Sequence, residues 1–435
     1  MFHVKHLSKQ SKGVKKMQTV PKANRIHIAI FGKRNAGKSS LINALTNQSV
    51  ALVSEVAGTT TDPVYKAMEI LPLGPVMMID TAGLDDEGAL GQLRIERTIQ
   101  VLNKTDLAIV VIDGNQGISE FDQNIIREIK KRNIPIVGAI NKIDKANQAI
   151  ESMEAWQSLL NIDLVPVSTI TRAGIELLKG LMIKNAPQDW EEKSIIGDLI
   201  REKDQVILVA PIDNAAPKGR LILPQVQTIR DILDHGGMCC VVKETELADC
   251  LATLKEKPIM VVTDSQAFAK VAAITPPDIR LTSFSMLFAR YKGDLSAYLD
   301  GVKAIAQLAP GDKVLIAEGC THHRQTDDIG TVKIPKWLDA KVGGALAYEW
   351  TSGGGFPKNL RQYKLIIHCG ACMLNRREVL YRLSSASEAK VPVINYGILI
   401  AYLNGILTRT LAPFPEAQAL LKEIEQQDCT CNGAL

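Results

Sequence analysis

The chain has 435 residues, enough for two to four domains of ordinary size. Hydrophobic residues make up 46% of it and charged residues 23%, as in globular proteins, and an aromatic content of 5% argues against a base-stacking surface for single-stranded nucleic acid. Residues 1–22 contain six lysines and no acidic residue, so removing them turns the net charge of +4 into −2. We therefore expect a basic flexible tail over residues 1–23 and no nucleic-acid or membrane partner for the folded body.

The most apolar stretch, residues 391–407, is interrupted by proline, asparagine and glycine and does not read as a membrane span. No apolar segment of the signal-peptide type follows the lysines. Eight cysteines without an export signal indicate the reducing cytoplasm, where clustered cysteine and histidine act as metal ligands more often than as disulfides.

The first predicted strand, Ile26–Phe31, leads into residues 32–39, which read GKRNAGKS, and then into a segment of helical spacing. This is the G-x-x-x-x-G-K-[ST] phosphate-binding loop between a strand and a helix. Backbone N–H groups of the loop and the helix N-terminus favour phosphates, Lys38 is expected to reach the β and γ phosphates, and Ser39 is expected to ligate Mg²⁺. Gly37 and Ser40 are further predicted nucleotide contacts.

Two switch segments are predicted next. Residues 58–63 read GTTTDP, and Thr60 is the candidate second magnesium ligand. Residues 80–83 read DTAG after a predicted strand over 76–79, where the magnesium-side carboxylate of such enzymes lies. Asp80 is expected to polarise a metal-bound water, and the Gly83 N–H to meet the γ phosphate.

The base is predicted to be guanine. Residues 141–144 read NKID after a predicted strand over 134–140, so Asn141, Lys142 and Asp144 are the predicted base-side contacts. A carboxylate at Asp144 accepts both N1–H and the exocyclic amine, a donor pair that adenine lacks. Ser168 and Thr169 follow a predicted strand over 164–167 and resemble the last guanine loop of GTPases, although alanine is commoner at the second position.

Together these loops resemble the GTPases related to the tRNA-modifying MnmE and the ribosome-assembly Era. Leu84 stands where Ras-type enzymes carry a water-orienting glutamine, and Asn35 matches the asparagine that helps MnmE-like members hold a potassium ion. The resemblance implies a slow, potassium-stimulated GTP hydrolase that uses GTP/GDP, Mg²⁺ and K⁺.

Strands alternate with helical segments along the chain, which predicts an α/β fold: a P-loop GTPase domain followed by two further smaller α/β domains. The first is predicted over residues 24–187, with a further strand over 107–112, and ends before an acidic segment with Trp190. The second, 188–276, has predicted strands over 206–209, 239–242 and 259–262, and ends at Pro276-Pro277. The third, 277–435, has predicted strands over 314–317, 365–368 and 391–395.

A group of cysteine and histidine residues follows two strands of the third domain. Cys320 and His322 come after one strand, and His368 ends the next, directly before Cys369 and Cys372. The carboxyl ends of parallel strands are where ligands bind. Three cysteines with one exchangeable position suit a 4Fe-4S cluster, and the same residues suit a zinc site of the three-cysteine, one-histidine type. Spacing alone leaves both open.

The GTPase loops, the run CTHHRQTDDIG at residues 320–330 and the run HCGACM at 368–373 together resemble the HydF family, the maturation GTPases of FeFe hydrogenases. The resemblance implies GTPase, dimerisation and cluster-binding domains, a homodimer, and a 4Fe-4S cluster on Cys320, Cys369 and Cys372. His322 is the first candidate for fourth ligand and His368 the second, or neither serves. It also implies a scaffold that passes a diiron precursor to apo FeFe hydrogenase, with the radical-SAM maturases as further partners.

Two rival functions stay open at this point. One is an RNA- or ribosome-associated GTPase with a structural zinc site, and the other is a nucleotide-dependent assembly module with negligible turnover. Cys239, Cys240, Cys429 and Cys431 are among the five cysteines that fall outside the pattern. The first two alternate across a predicted strand, so we expect one of them in the core.

Overall fold

The structure is a computed structural model that describes residues 21–46, 63–81, 89–146, 151–187, 193–212, 221–320 and 328–432. Thr60, Gly83 and His322, together with most of the basic tail, lie outside these ranges. Within them, no helix has both the length and the apolar character that crossing a bilayer requires.

The GTPase domain is built on a six-stranded sheet in the order β2-β3-β1-β4-β5-β6, with every pair parallel except β2 and β3. Its strands are β1 (Ile26–Phe31), β2 (Val64–Ile70), β3 (Gly74–Asp80), β4 (Leu107–Asp113), β5 (Ile136–Asn141) and β6 (Asp163–Pro166). Its helices are α1 (Lys38–Thr46), α2 (Ala89–Leu102), α3 (Glu120–Lys131), α4 (Met153–Leu160) and α5 (Ile175–Asn185). Apolar side chains fill a core on each face of the sheet.

A second sheet of four parallel strands has the order β10-β9-β7-β8. Its strands are β7 (Gln205–Val209), β8 (Met238–Val242), β9 (Met260–Thr263) and β10 (Arg280–Ser283). The helices of this part are α6 (Leu223–Asp234), α7 (Leu247–Thr253), α8 (Phe268–Ile274) and α9 (Phe284–Lys292). The strand β8 forms one edge of this sheet.

The third sheet is also parallel, in the order β12-β11-β13-β14. Its strands are β11 (Lys313–Glu318), β12 (Ala347–Ser352), β13 (Leu365–His368) and β14 (Val393–Asn395). The helices are α10 (Asp300–Ala306), α11 (Ile334–Val342), α12 (Arg376–Glu388), α13 (Tyr396–Leu403), α14 (Leu407–Thr410) and α15 (Pro415–Asn432). The predicted α/β class, with a P-loop GTPase domain followed by further α/β sheets, is confirmed.

The boundary predicted at residue 276 lies inside the second sheet, because β10 follows it and pairs in register with β9. The second and third sheets also share one hydrophobic core, which runs from Ile195 to Ile424. The sequence placed the boundary at Pro276-Pro277 because consecutive prolines end regular structure. Here they only shape the turn before β10.

Three strands were not predicted: β2, β10 and β12. Each lies at the edge of its sheet, and β2 and β12 keep much of their side-chain surface exposed. β10 is short and reads Arg-Leu-Thr-Ser. These three edge strands lack the continuous apolar run that marks a buried parallel strand, so the hydrophobic pattern alone does not reveal them.

Candidate functional site

The phosphate-binding loop is preformed around Lys38. The Lys38 Nζ donates to the carbonyls of Gly32 and Lys33, at 2.8 and 2.7 Å, and the side chain is 8% exposed. Asn35 and Gly37 adopt φ values of 61° and 94°, a left-handed conformation that asparagine and glycine tolerate best. The loop therefore curls around the lysine and turns its backbone outward, as a phosphate cradle requires.

Ser39 and Asp80 meet where magnesium is expected. Parallel pairing sets Ile30 of β1 opposite Asp80 of β3, so Asp80 ends its strand beside the phosphate loop. The Ser39 hydroxyl donates to the Asp80 carboxylate at 2.5 Å. A hydroxyl and a carboxylate at this distance are the oxygen donors that Mg²⁺ prefers, so the pair fits the ion.

Asn141 connects the phosphate loop to the base-side loop. Its Nδ2 donates to the Ala36 carbonyl at 2.9 Å, and within the described part of the chain its buried Oδ1 has no hydrogen-bond partner. A Cβ placed on Gly37 would lie 2.2 Å from the same Nδ2. The two loops thus touch closely, and a buried acceptor is left for a donor group that the structure does not contain.

The predicted guanine contacts come together at the ends of β5 and β6. Ser168 donates from its hydroxyl to the Asp144 carboxylate at 2.6 Å and accepts from the Thr171 backbone N–H at 3.1 Å. Lys142 pairs with Asp113 at 2.7 Å. Asp144 is exposed, so its carboxylate is oriented by Ser168 while remaining open to a ligand. Ser40 is exposed and Thr169 half-buried.

The three predicted cluster cysteines line one cavity of about 210 Å³. Cys320 lies two positions after the end of β11 and Cys369 directly after β13, and these strands pair so that Ala317 lies opposite His368. The Cys369 sulfur accepts from the backbone N–H groups of Gly319 at 3.0 Å and Ala371 at 3.3 Å. Two N–H donors aimed at a sulfur are what a thiolate ligand requires, so this donor set fits a thiolate-bound metal group.

A larger cavity of about 780 Å³ adjoins the cysteines. Cys320 and Cys372 lie on one side of it, and His27 and Lys104 of the GTPase domain on the other. Among the described residues, however, no three Cys, His, Asp or Glu side chains converge on a single metal ion. The structure brings the cysteines to one cavity without showing a metal site.

Both ring nitrogens of His368 have hydrogen-bond partners. It is 1% exposed, its Nε2 faces the Arg382 Nη1 at 3.3 Å, and its Nδ1 faces the Cys369 carbonyl at 2.9 Å. A guanidinium only donates, so Nε2 accepts and Nδ1 carries the proton. Burial, reinforced by Arg382, lowers the pKa of His368 to about 3. In this arrangement neither ring nitrogen is available to a metal.

Burial also favours the protonated thiol form of Cys369 and Cys372 when no metal is bound. It raises the pKa of Cys369, and it raises the pKa of Cys372 to about 11 with a further contribution from Cys369. Metal binding must therefore displace protons from both thiols.

Several residues around the cysteines carried no signal in the sequence. The Lys292 ammonium donates to the carbonyls of Ala371, Cys372 and Leu374, and burial lowers the pKa of Lys292 to about 8. The Asn395 amide donates to the Cys369 carbonyl at 3.4 Å. These contacts join distant parts of the chain, so no local motif reveals them.

The cysteine-bearing domain contacts the GTPase domain through polar groups. The Asn375 Nδ2 donates to the Lys104 carbonyl at 2.8 Å, and the Arg377 Nη2 donates to the Asn133 carbonyl at 2.8 Å. Lys358 also pairs with Glu96 at 2.9 Å.

The alternation of Cys239 and Cys240 along a strand predicts that one of them lies in the core. Cys239 packs partly against the core and Cys240 is exposed. The side chains of Cys429 and Cys431 lie outside the described part of the chain.

Three family models match the chain in consecutive stretches. The model described as 50S ribosome-binding GTPase matches residues 27–142, and that described as Hydrogen maturase F dimerization domain matches 195–293. The model described as Hydrogen maturase F tetramerization domain matches 296–413. The last two meet just after α9, and not at residue 276.

Curated relatives match the GTPase part. The tRNA modification GTPase MnmE of Chromobacterium violaceum is 34% identical over 160 residues, covering 37% of this chain and 34% of that protein. GTPase Der of Sulfurihydrogenibium sp. is 37% identical over 180 residues, covering 39% of this chain and 40% of that protein. The chain thus spans less than half of either relative.

Solved structures of GTPases also match the chain. Era of Aquifex aeolicus bound to GDP.AlF4- is 23% identical, with a TM-score of 0.34, over 50% of this chain and 92% of that one. The G domain of the T. maritima FeoB iron transporter is 27% identical, with a TM-score of 0.30, over 37% and 98%.

Proposed function

Because the chain belongs to the hydrogen maturase F family, we propose that it is a GTP-hydrolysing scaffold in the maturation of FeFe hydrogenase. It binds a 4Fe-4S cluster, holds a diiron precursor and delivers the diiron unit to the apo-hydrogenase. The observation that carries this proposal is the single cavity lined by Cys320, Cys369 and Cys372, on a chain that also has a preformed guanine-nucleotide site.

GTP hydrolysis rests on the geometry of the nucleotide loops. Lys38 and the loop backbone bind the phosphates, Ser39 ligates Mg²⁺, Asp80 polarises a water on that ion, and Asp144 contacts the base. When bound, Mg²⁺ neutralises phosphate charge. Thr60 and Gly83 complete the site as second magnesium ligand and γ-phosphate contact.

The base contact has a direct test. An Asp144→Asn variant loses one acceptor and gains a donor, so its preference should shift from GTP to xanthosine triphosphate, which has a carbonyl in place of the exocyclic amine. Competition between the two nucleotides, measured for the wild type and the variant, gives the ratio. An unchanged ratio would remove Asp144 from the base site.

Potassium stimulation is proposed through Asn35. The residue is exposed on the phosphate loop in a left-handed conformation, which turns it outward from the loop. Turnover should be higher in potassium than in sodium at equal ionic strength, and Asn35→Ala should remove the difference. Equal turnover of the wild type in both salts contradicts this part of the proposal.

The cluster is held by Cys320, Cys369 and Cys372. When bound, it supplies an iron with an exchangeable fourth position. We propose His322 for that position, or no protein ligand, since His368 has both ring nitrogens engaged. Free thiols in the described chain suit the reducing cytoplasm, where we place the protein.

Self-association is supported by the edge of the second sheet. Among the described residues, no strand pairs with the outer edge of β8, and its Met238 and Val241 are 46% and 43% exposed. An unpaired apolar edge strand favours pairing with another chain. We propose a homodimer through β8, and as further partners the apo-hydrogenase and the radical-SAM maturases.

Anaerobic purification tests the cluster. We expect about four irons per chain and a brown colour, and Cys369→Ala should lose the iron while GTP hydrolysis persists. Cys240→Ala, at an exposed cysteine outside the cavity, should keep both. A colourless wild-type protein with one zinc would favour the ribosome-associated alternative, which the match to residues 195–413 does not favour.

A further inference from the structure

Lys292 ends α9 and reaches into the cysteine loop, residues 369–374. It lies 80 positions before Cys372 in the chain, and its side chain is 1% exposed. Its Nζ donates to the carbonyls of Ala371 at 3.0 Å, Cys372 at 2.9 Å and Leu374 at 2.5 Å. A buried lysine thus holds three carbonyls of one short loop.

These three acceptors fix the charge of the lysine. An amine that has lost its proton keeps two N–H donors, and an ammonium has three. Three carbonyl acceptors around one nitrogen therefore require the ammonium. Its position against the Phe288 ring, 5.6 Å from the centroid, also favours a cation.

The loop needs such support because its backbone is irregular. Ala371 has a φ of 54°, a backbone conformation that a residue other than glycine adopts only when its surroundings hold it there. The Cys369 carbonyl accepts a hydrogen bond from Asn395, and Lys292 donates hydrogen bonds to carbonyls further along the loop. The carbonyls are thereby engaged in hydrogen bonds while Cys369 and Cys372 line the cavity.

The second buried cation near the cysteines is in a different situation. Arg382 is paired with the Glu378 carboxylate at 3.2 Å, so its charge is largely balanced. The partners described for Lys292 are neutral carbonyls. Of these two buried cations, Lys292 is therefore the one whose described partners leave its positive charge unbalanced beside Cys372.

We propose that Lys292 is the positioning residue of the cysteine loop: its ammonium fixes the loop so that Cys369 and Cys372 face one cavity, and its charge offsets that of the thiolate-bound cluster. The inference rests on the proposed function. A fixed positive charge beside a cluster favours the reduced, more negative state, so it raises the reduction potential.

Three substitutions separate the positioning role of Lys292 from the effect of its charge. Lys292→Arg keeps the charge and should keep the iron and the potential. Lys292→Gln keeps two N–H donors without the charge, so it should bind iron with a more negative potential. Lys292→Met keeps only the length and should lose about half of its iron or more, because three buried carbonyls lose their donor. Lys364→Met, at an exposed lysine just before β13, is the matched control and should behave as wild type.

Iron content and an anaerobic redox titration followed by electron paramagnetic resonance give these readouts. The proposal is overturned if Lys292→Met keeps the wild-type iron content and potential. If the methionine variant does not fold, the glutamine variant decides through its potential alone.

A separate measurement does not depend on the cluster. In the iron-free protein, amide hydrogen exchange over residues 369–375 should be about tenfold faster in Lys292→Met than in wild type. Unchanged exchange rejects the positioning role. A wild type that binds no iron, with faster exchange in the variant, rejects the proposed function and leaves the positioning role standing.

Discussion

The side-chain amide of Asn375 donates to the main-chain carbonyl of Lys104 at 2.8 Å, and this bond crosses from the cysteine-bearing domain to the GTPase domain. Asn375 follows Cys372 by three residues. Lys104 follows α2 by two residues, and α2 begins six residues after the predicted switch segment 80–83. One hydrogen bond thus joins the segment that follows α2 to the residue that follows the cysteine loop.

Asn375 has two roles that substitutions can separate. Its Oδ1 caps α12 by accepting from the Glu378 N–H at 3.2 Å, while its Nδ2 contacts Lys104. Asn375→Asp keeps the cap and places a carboxylate oxygen against the Lys104 carbonyl, whereas Asn375→Ala loses both contacts. We expect the alanine variant to lose about 1–2 kcal/mol of unfolding free energy in urea.

The aspartate variant should instead show faster amide exchange at residues 103–105 with little loss at α12. If amide exchange is the same in both variants at residues 103–105 and at α12, the capping role and the domain-contact role of Asn375 are not separable. The hydrogen bond between Asn375 and Lys104 would then be weaker than its geometry indicates.

Gly37→Ala should weaken nucleotide binding. Its Cβ would lie 2.2 Å from the Asn141 Nδ2, and a φ of 94° is unfavourable for alanine. We expect the affinity for a fluorescent GDP analogue to fall more than about tenfold, because the phosphate loop must shift. Gly311→Ala is the control, since Gly311 has a φ of 89° and open space around it. That variant should lose stability only; weakened GDP binding there would argue that backbone strain alone explains the first result.

Acid should destabilise the protein through two buried histidines. Burial lowers the pKa of His27 to about 4 and that of His368 to about 3, against 6.5 in the unfolded chain. Below pH 6.5 the unfolded chain binds protons that the folded protein does not, so stability is present above that pH and falls as pH falls. Each histidine should contribute a loss of about 1.5 kcal/mol between pH 6.5 and 5.

Urea denaturation at several pH values measures this dependence. His368→Gln removes one of the two titrating groups, so its unfolding free energy should fall less steeply than that of the wild type over the same interval. Parallel profiles for the two proteins would mean that His368 is not kept neutral by the fold.

Thiol reactivity should distinguish the cavity cysteines from the surface. Burial raises the pKa of Cys372 to about 11, whereas Cys240 is exposed. In the iron-free protein at pH 8, iodoacetamide should modify Cys372 at least about tenfold more slowly than Cys240, because the thiolate is the nucleophile. Mass spectrometry of the modified peptides follows both rates. Equal rates would show that the cavity opens freely to reagent.

The sequence predicted the parts of both sites that local pattern encodes. The phosphate loop, Asp80 and Asp144 sit in short motifs between strand and helix, and the structure brings them together. Cys320 and Cys369 could be placed at strand ends because parallel strands finish at one edge.

Long-range relationships could not be predicted in this way. Lys292 contacts a loop 80 positions away, and Arg382 engages His368 across a domain interior, with no spacing rule to connect them. The same limit applies to β10, whose four residues are recognisable as a strand only through their pairing with β9.

The single hydrophobic core shared by the second and third sheets makes this protein less modular than its three sheets suggest. Cutting the chain near residue 276 would expose apolar surface on both fragments, because β10 pairs with β9 and α9 packs against helices from both sides of the cut. A cut near residue 187 separates parts whose described contacts are hydrogen bonds and an ion pair. For dividing this chain into fragments, the boundary between the GTPase domain and the remainder therefore exposes less apolar surface than a cut near residue 276.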